Sequence, residues 1–195
     1  MDNSPGEILE KVRAYATEAH GEQMRKFANE LYINHPIRVM QIVRDYIEDL
    51  PVLASALLHD VLEDTQITKR KLGQFLQSVM TKDDAEKTLI LVDELTDVYT
   101  KADYPKLNRR TRKNKETERL SGTSPEAQSV KYADIIDNVR DISKEETDFA
   151  LVYIREVKQL LQHMNKGNML LYQRAMEEVD QSLRNYWNKA NIKAL

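Results

Sequence analysis

The sequence contains no cysteine, and only five of its 195 residues are glycine and five are proline. The absence of cysteine excludes disulfide bonds, thiolate nucleophiles and thiolate metal ligands, and it fits a reducing compartment. No apolar run approaches the ~20 residues that a membrane-spanning helix needs. The opening Met-Asp-Asn-Ser-Pro-Gly-Glu lacks the basic and apolar regions of a secretory signal. We therefore expect a cytoplasmic protein that does not enter a membrane.

The remaining composition is typical of a globular domain, with 41% hydrophobic and 31% charged residues. This length suits one domain with a sizeable core, so residues 1–195 are predicted to form a single domain. The net charge of −3 argues against nucleic acid as a partner. Positive charge is concentrated in KLNRRTRKNK, residues 106–115. This run is either a solvated helix face or loop, or a positive lip that steers an anionic ligand toward a cleft.

The spacing of apolar residues predicts an all-α fold, a single helical bundle. Alternating β-branched residues are absent, which leaves room for at most one short β-hairpin near 27–34. Two roles are open for the helical segment 169–195, namely packing on the core or a contact in a homodimer. The predicted helices lie around 8–16 and 37–43, from 52 to about 63, and over 68–79, 83–98, 125–142, 146–164 and 169–188.

Candidate chemistry is concentrated in histidines and carboxylates. There is no Gly-x-Gly-x-x-Gly, P-loop, Gly-x-Ser-x-Gly or His-Glu-x-x-His motif, which excludes several enzyme classes. The stretch ALLHDVLEDT, residues 56–65, brings one histidine and three carboxylates to the end of an apolar helix: His59, Asp60, Glu63 and Asp64. Ionised carboxylates are costly to bury unless they are paired or bind a metal.

A candidate metal site combines His59 and Asp60 with two residues from other helices. His35 lies in YINHP, and Asp134 lies among the apolar positions of KYADIIDNVRD, so its carboxylate should point inward. Two nitrogens and two oxygens suit an octahedral divalent transition metal with two positions left for water and substrate. A buried ion-pair network of the same residues without a metal is the alternative, and spacing alone does not decide between the two.

These motifs resemble the HD superfamily, and more narrowly the RelA/SpoT-type hydrolase domain and the small alarmone hydrolases built from it alone. The resemblance implies a helical domain that binds one Mn²⁺ and removes the 3′-pyrophosphate of (p)ppGpp, yielding GDP or GTP and pyrophosphate. It is carried by four motifs in order: AHGEQMRK at 19–26, YINHP at 32–36, ALLHDVLEDT at 56–65 and SPEAQSVKYADIIDNVRDI at 124–142.

The same resemblance assigns roles to individual residues. The matching motif positions make His35, His59, Asp60 and Asp134 the metal ligands. Two carboxylates beside them receive the catalytic role of taking or relaying a proton: Glu63 and Asp64. Four further residues match positions that contact the nucleotide: Arg25, Lys26, Lys106 and Asn138.

One motif departs from the family. Where the family usually reads Ala-Asp-Lys-Leu-Tyr-Asn, this chain reads ADIIDN, so Ile135 replaces a lysine and Asp137 replaces a tyrosine. We expect Asp137 to reach the substrate side, where its charge repels a phosphate-rich substrate or holds a second cation. Two alternatives therefore stay open: an HD phosphohydrolase acting on another nucleotide or phosphorylated metabolite, or a non-catalytic metal-containing nucleotide sensor.

Overall fold

The computed structural model of the protein describes residues 4–144 and 148–193. Within these residues the chain forms ten helical segments and no β-strand, which confirms the predicted all-α fold. In place of the hairpin considered near 27–34, a single antiparallel bridge joins Met24 and Leu31. The helices are α1 (Pro5–His20), α2 (Asn34–Arg44), α3 (Leu50–Leu58), α4 (Val61–Asp64), α5 (Lys69–Val79), α6 (Lys82–Leu95), α7 (Arg109–Ser121), α8 (Pro125–Ile142), α9 (Asp148–His163) and α10 (Met169–Lys193).

Two helices form the centre of the fold. α3 is buried at every position from Pro51 to Leu58 and packs against α1, α2 and α6. A helix that is apolar on all sides is typical of a protein core. α8 packs against α2, α6, α9 and α10, and it buries Asp134 among apolar neighbours, as predicted. Within the described residues, no helix has the length and apolar character needed to cross a membrane.

Side-chain caps determine where α7 and α8 begin. The Ser124 hydroxyl accepts a hydrogen bond from the Ala127 N–H at 3.2 Å, and Pro125 occupies the first turn of α8. The Asn108 side chain accepts from the Thr111 N–H at 2.9 Å at the start of α7. Each cap satisfies a backbone donor that the first turn of a helix leaves without a partner. The caps therefore set the register of both helices.

The helix predicted from 52 to about 63 is interrupted in the structure, so this prediction was wrong at its end. α3 stops before His59, and α4 begins after Asp60. His59 Nδ1 lies 2.8 Å from the Ala56 carbonyl oxygen. In a continuous helix that oxygen would accept a hydrogen bond from the Asp60 N–H. Because the ring takes this acceptor, the chain turns here.

Helix α7 was not among the predicted helices. It contains much of the basic run, and Leu120 is its single aliphatic residue, so apolar periodicity gives no signal for it. α6 ends at Leu95 instead of 98, where the Thr96 hydroxyl donates to a carbonyl of the last turn. The start predicted at 146 for the helix that corresponds to α9 lies outside the described residues.

The loop between α9 and α10 is held against α8 by hydrogen bonds. The Tyr132 hydroxyl donates to the Met164 carbonyl, and the Asn168 N–H donates to the Ser129 hydroxyl, both at 2.8 Å. Gly167 lies so close that an added Cβ would be 2.6 Å from Tyr132 Cε2 and 2.9 Å from Ser129 N. α10 then packs against α8 and α9.

Gly167→Ala is expected to destabilise the fold by about 1–3 kcal/mol, because the methyl group would overlap the Tyr132 ring and the α8 backbone. The control is Gly6→Ala, where an added Cβ would meet no atom within 4 Å. Because Gly6 lies in α1, Gly6→Ala should be neutral or stabilise the fold by up to about 1 kcal/mol. Urea denaturation gives the unfolding free energies. Equal values for the two variants would contradict the packing of this loop on α8.

Candidate functional site

The two histidines and two aspartates of the motifs come together between α2, the turn after α3, and α8. His35 Nε2 lies 3.1 Å from Asp134 Oδ1 and 3.6 Å from Asp60 Oδ2. His59 Nε2 lies 3.0 Å from Asp60 Oδ2 and 3.7 Å from Asp134 Oδ1. One ligand atom from each of His35, His59 and Asp134 lies within 4.8 Å of the others. This spacing would allow a single metal ion to contact them all.

The orientation of the two imidazole rings fits a metal site. His35 Nδ1 lies 2.7 Å from Asp137 Oδ2, and His59 Nδ1 lies 2.8 Å from the Ala56 carbonyl oxygen. These acceptors leave both Nε2 atoms directed into the cluster. His59 Nε2 is buried, and although Asp60 Oδ2 lies 3.0 Å away, the described residues offer it no well-aligned hydrogen bond. Buried polar atoms normally have a partner, and a divalent metal with nitrogen and oxygen ligands would provide one.

The charges of the cluster also favour a cation. Burial lowers the pKa of His35 and His59, but the neighbouring carboxylates outweigh burial and raise both pKa values above the usual range. Burial alone would raise the pKa of Asp134, yet Lys131 and the two histidines hold it well below the usual range. The aspartates therefore stay ionised and draw positive charge into the site. When the histidines are neutral, a divalent cation can supply this positive charge.

A cavity of about 560 Å³ opens beside the cluster and is lined in part by Asp60 and Asp134. Ligand sites typically enclose ~300–1,000 Å³. α9 contributes apolar wall residues that include Val152, Val157 and Leu160. The cavity therefore combines a charged end with an apolar wall, which suits a ligand with a phosphate part and a ring.

Of the two predicted catalytic carboxylates, Glu63 lines this cavity. Its Oε2 accepts a hydrogen bond from the Asp97 N–H at 3.2 Å. The surrounding protein, followed by the carboxylates of Asp97 and Asp60, raises the pKa of Glu63 to about 7. Asp64 is not among the described residues that line the cavity; it lies near the Tyr32 hydroxyl and contributes to the raised pKa of that group, after burial and Asp60. Glu63 is thus the better placed of the two to exchange a proton in the cavity.

The basic run lies mostly within α7, and one face of this helix enters the cavity. Arg109, Arg110 and Lys113 line it. Arg109 donates two hydrogen bonds to Glu156, at 2.8 and 2.7 Å, and Lys113 Nζ lies 3.9 Å from Asp97 Oδ2. Arg110 has no ion-pair partner within the part of the chain that the structure describes. It is therefore the cation of this face that is most available to a ligand.

The predicted nucleotide contacts are distributed between the cavity and its surroundings. Asn138 lines the cavity. The Arg25 guanidinium is largely buried, 2.8 Å from Asp141 Oδ2 and 3.2 Å from Asn138 Oδ1. Lys26 and Lys106 are exposed, and neither is among the described residues that line the cavity. Contact of these four residues with a nucleotide stays a prediction.

Asp137 does not lie where the sequence analysis placed it. Its carboxylate contacts His35 Nδ1 at 2.7 Å and Arg38 Nε at 2.6 Å. It is absent from the described residues that line the cavity, whereas Ile135 is present among them. The expectation that Asp137 faces the substrate was wrong, because its side chain points from α8 toward α2, behind the His35 ring.

Two residues outside the predicted set of site residues contact the aspartates of the cluster. Lys131 Nζ lies 2.8 Å from Asp134 Oδ2, and the Tyr32 hydroxyl donates to Asp60 Oδ2 at 2.6 Å. Lys131 precedes Asp134 by one helical turn, a spacing that places two side chains on one helix face. Tyr32 opens the YINHP motif. Asp97, in contrast, belongs to no motif, and only the fold brings it to Glu63.

The fold and the site define the class of the protein. The chain matches the HD domain family over residues 32–139, a range that includes all four members of the His-Asp cluster. It belongs to the HD domain family. Family and cluster together indicate a divalent metal site.

More specifically, the chain is similar to the guanosine-3′,5′-bis(diphosphate) 3′-pyrophosphohydrolase MESH1 of several animals. It is 35% identical to the mouse (Mus musculus) and human (Homo sapiens) proteins over 147 residues, which are 74% of this chain and 74% of each relative. The Drosophila melanogaster protein is 33% identical over 145 residues, 73% of each chain. The solved structure of a metazoan SpoT ortholog that hydrolyses ppGpp matches with a TM-score of 0.74 and 27% identity, covering 94% of this chain and 98% of that one.

Proposed function

We propose that this protein is a metal-dependent 3′-pyrophosphohydrolase that converts (p)ppGpp to GDP or GTP and pyrophosphate. The observation that carries the proposal is the His-Asp cluster, in which the described residues offer His59 Nε2 no well-aligned hydrogen bond, beside a cavity that holds the high-pKa carboxyl of Glu63. The animal relatives named for this reaction, which match 74% of the chain, support the same substrate.

Four residues would hold the cation: His35, His59, Asp60 and Asp134. We propose Mn²⁺ as that cation, following the resemblance of the motifs. When bound, it supplies a Lewis acid that activates water near neutral pH. No thiolate competes, because the chain has no cysteine.

Other residues of the chain orient the site and move the proton. Tyr32 donates to Asp60 and fixes the orientation of that carboxylate. Lys131 contacts Asp134 Oδ2, and Oδ1 faces the two histidines while it accepts a hydrogen bond from the Asn138 amide at 2.5 Å. Glu63, in its ionised form, accepts the proton that water loses as it attacks phosphorus. The surrounding protein and nearby carboxylates give it a pKa suited to this exchange at neutral pH.

The phosphate groups are bound by the α7 face of the cavity. Arg110 and Lys113 offer donors there, and Arg109 is held in place by Glu156. Arginine suits phosphate because its donors form paired, charge-assisted hydrogen bonds. The apolar residues of α9 provide a surface for the guanine base.

Arg110→Glu is expected to raise KM for ppGpp roughly 10–100-fold, because one charge-assisted hydrogen bond contributes ~1.5–3 kcal/mol. The control is Arg70→Glu, which makes the same charge change at an exposed position of α5 that does not line the cavity. Steady-state kinetics at two salt concentrations provide the measurement, and the difference should shrink as salt rises. An equal rise of KM in both variants would mean that net charge, and not Arg110 itself, sets the affinity.

The proposed substrate is tested against the alternatives by comparing ppGpp with GDP and GTP, which lack the 3′ group. We expect pyrophosphate release from ppGpp and no turnover of GDP or GTP. Anion-exchange chromatography of the reaction mixtures measures both. Ile135, which lines the cavity at the position of the family's lysine, is the observation that favours another phosphorylated substrate. Turnover of GTP in place of ppGpp would support that alternative, and tight binding of ppGpp without turnover would support a sensor.

We propose that residues 1–195 act as one hydrolase domain. The packing of α10 on α8 supports this, because the last helix shares the core of the others. A homodimer contact through the segment 169–195 stays a prediction, as does a cytoplasmic location.

A further inference from the structure

We infer that Asp137 is a positioning residue of the metal site, held in place by Arg38. Its carboxylate fixes the ring of His35 so that Nε2 faces the cluster, and the Arg38 guanidinium fixes that carboxylate. This inference rests on the proposed metal-dependent function and adds a residue pair that makes no contact with the cavity.

The contact between Asp137 and His35 is buried and short. Asp137 Oδ2 lies 2.7 Å from His35 Nδ1, and the two residues are 3% and 1% exposed. A neutral imidazole carries one proton, so an acceptor at Nδ1 places the proton there and leaves the Nε2 lone pair free. Nε2 lies on the opposite side of the ring, 3.1 Å from Asp134 Oδ1. The carboxylate therefore selects the form of His35 that can bind a cation through Nε2.

His59 reaches the same state by a different route. Its Nδ1 lies 2.8 Å from the Ala56 carbonyl, an acceptor within its own turn of the chain. His35 sits in the first turn of α2, and its acceptor is a side chain of α8. The orientation of His35 thus depends on one residue of another helix, which a substitution can remove.

Arg38 holds Asp137 from the same helix that carries His35. Its Nε lies 2.6 Å from Asp137 Oδ1, and its terminal nitrogen lies 3.1 Å from Oδ2, a paired contact with both oxygens. Glu30 also binds the guanidinium, with one carboxylate oxygen 2.7 Å from the same terminal nitrogen and the other 3.0 Å from the second terminal nitrogen. Paired Arg–carboxylate contacts are geometrically specific. With Arg38 in place, the Asp137 carboxylate cannot rotate away from the His35 ring without breaking both bonds.

Asp141 provides a matched comparison on the same helix. It is buried to a similar degree, at 6% exposed, and lies near the same arginines: 2.8 Å from Arg25 and 3.5 Å from Arg38. No contact joins it to either histidine within the described residues. Asp141→Asn therefore removes a buried charge from the same cluster of ion pairs without altering the support of His35.

Asp137→Asn is expected to weaken Mn²⁺ binding by roughly 10–100-fold, the usual effect of losing a carboxylate that supports a ligating histidine. Asp141→Asn should bind Mn²⁺ as the parent protein does. Arg38→Gln should weaken binding less than Asp137→Asn, and it should add little when combined with it, because the two residues act through one contact.

The measurement is a calorimetric titration of metal-free parent, Asp137→Asn and Asp141→Asn with Mn²⁺, with a helical circular dichroism spectrum of each. Loss of affinity in Asp137→Asn alone supports the inference. Equal affinities in the two variants would overturn it and leave the proposed function standing. A parent protein that binds no Mn²⁺ would overturn the proposed function, and the positioning role with it.

A second measurement needs no variant and decides the case where Asp137→Asn does not fold. In the Zn²⁺-loaded parent protein labelled with ¹⁵N-histidine, long-range proton–nitrogen spectra report which ring nitrogen carries the proton. We expect His35 to be protonated at Nδ1 and metal-bound at Nε2, with an Nδ1 proton protected from exchange. A His35 ring that is metal-bound at Nδ1 would overturn the inference.

Discussion

Asp134→Asn is expected to abolish the bound metal and the hydrolysis of ppGpp together. Asp134 Oδ1 lies near both histidine Nε2 atoms, at 3.1 and 3.7 Å, as Asp60 Oδ2 does, and Lys131 occupies the other Asp134 oxygen at 2.8 Å. An asparagine removes the charge from this centre and leaves the Lys131 ammonium without its partner. The loss of activity should exceed the ~10–100-fold that an outer-shell substitution costs.

Metal content by elemental mass spectrometry and the rate of ppGpp hydrolysis over a range of Mn²⁺ concentrations test this prediction. Added Mn²⁺ should restore activity only in part. Asp141→Asn, the same substitution farther along α8, should keep the metal, because Asp141 contacts Arg25, Arg38 and Lys144 and not the histidines. If Asp134→Asn kept its metal, the His-Asp cluster would be an ion-pair network and not a metal site.

Glu63→Gln is the substitution with the next largest expected effect, a fall in turnover by ~10²–10⁴ with the metal retained. Glutamine preserves the shape of the side chain and can still accept the hydrogen bond from the Asp97 N–H. It cannot take a proton from water. Asp64→Asn is expected to lower turnover as well, by the assignment that the motifs imply. Glu118→Gln, on an exposed position of α7, is the control.

The pH dependence of kcat/KM provides a second signature of Glu63. The surrounding protein and the nearby carboxylates raise the pKa of Glu63 to about 7, and a bound cation would lower it from there. The base must be ionised, so activity should be full above this pKa and fall as the pH drops through it. In Glu63→Gln, the acidic limb of the pH profile, which is this fall of kcat/KM at low pH, should be absent. Near-normal turnover, or an unchanged limb in the variant, would remove Glu63 from the mechanism.

The sequence was sufficient for the fold class and for the four members of the cluster, because both depend on local patterns. Apolar periodicity marks α8, and Asp134 stands out as a carboxylate on its buried face. The end of α3 was harder to predict, because the turn arises when the His59 ring takes the Ala56 carbonyl. No periodicity in the sequence reports that competition between a side chain and the backbone.

The cavity depends on contacts between distant segments, and these could not be read from the sequence. α7 has almost no apolar residues, so its place beside the site follows from pairs such as Arg109 with Glu156 on α9. Asp137 departs from the family motif, but the prediction that its side chain faces the substrate was wrong. A residue three positions after Asp134 can face either the cavity or α2. Asp137 faces α2 because its carboxylate contacts the Arg38 guanidinium and the His35 ring there.

The most direct test of the account follows the fate of ppGpp by ³¹P NMR, with the protein first freed of metal and then reconstituted with Mn²⁺. We expect GDP and pyrophosphate in equal amounts after reconstitution and no change in ppGpp without metal. Unchanged ppGpp in the reconstituted sample, release of single phosphates, or the same rate with and without metal would contradict it.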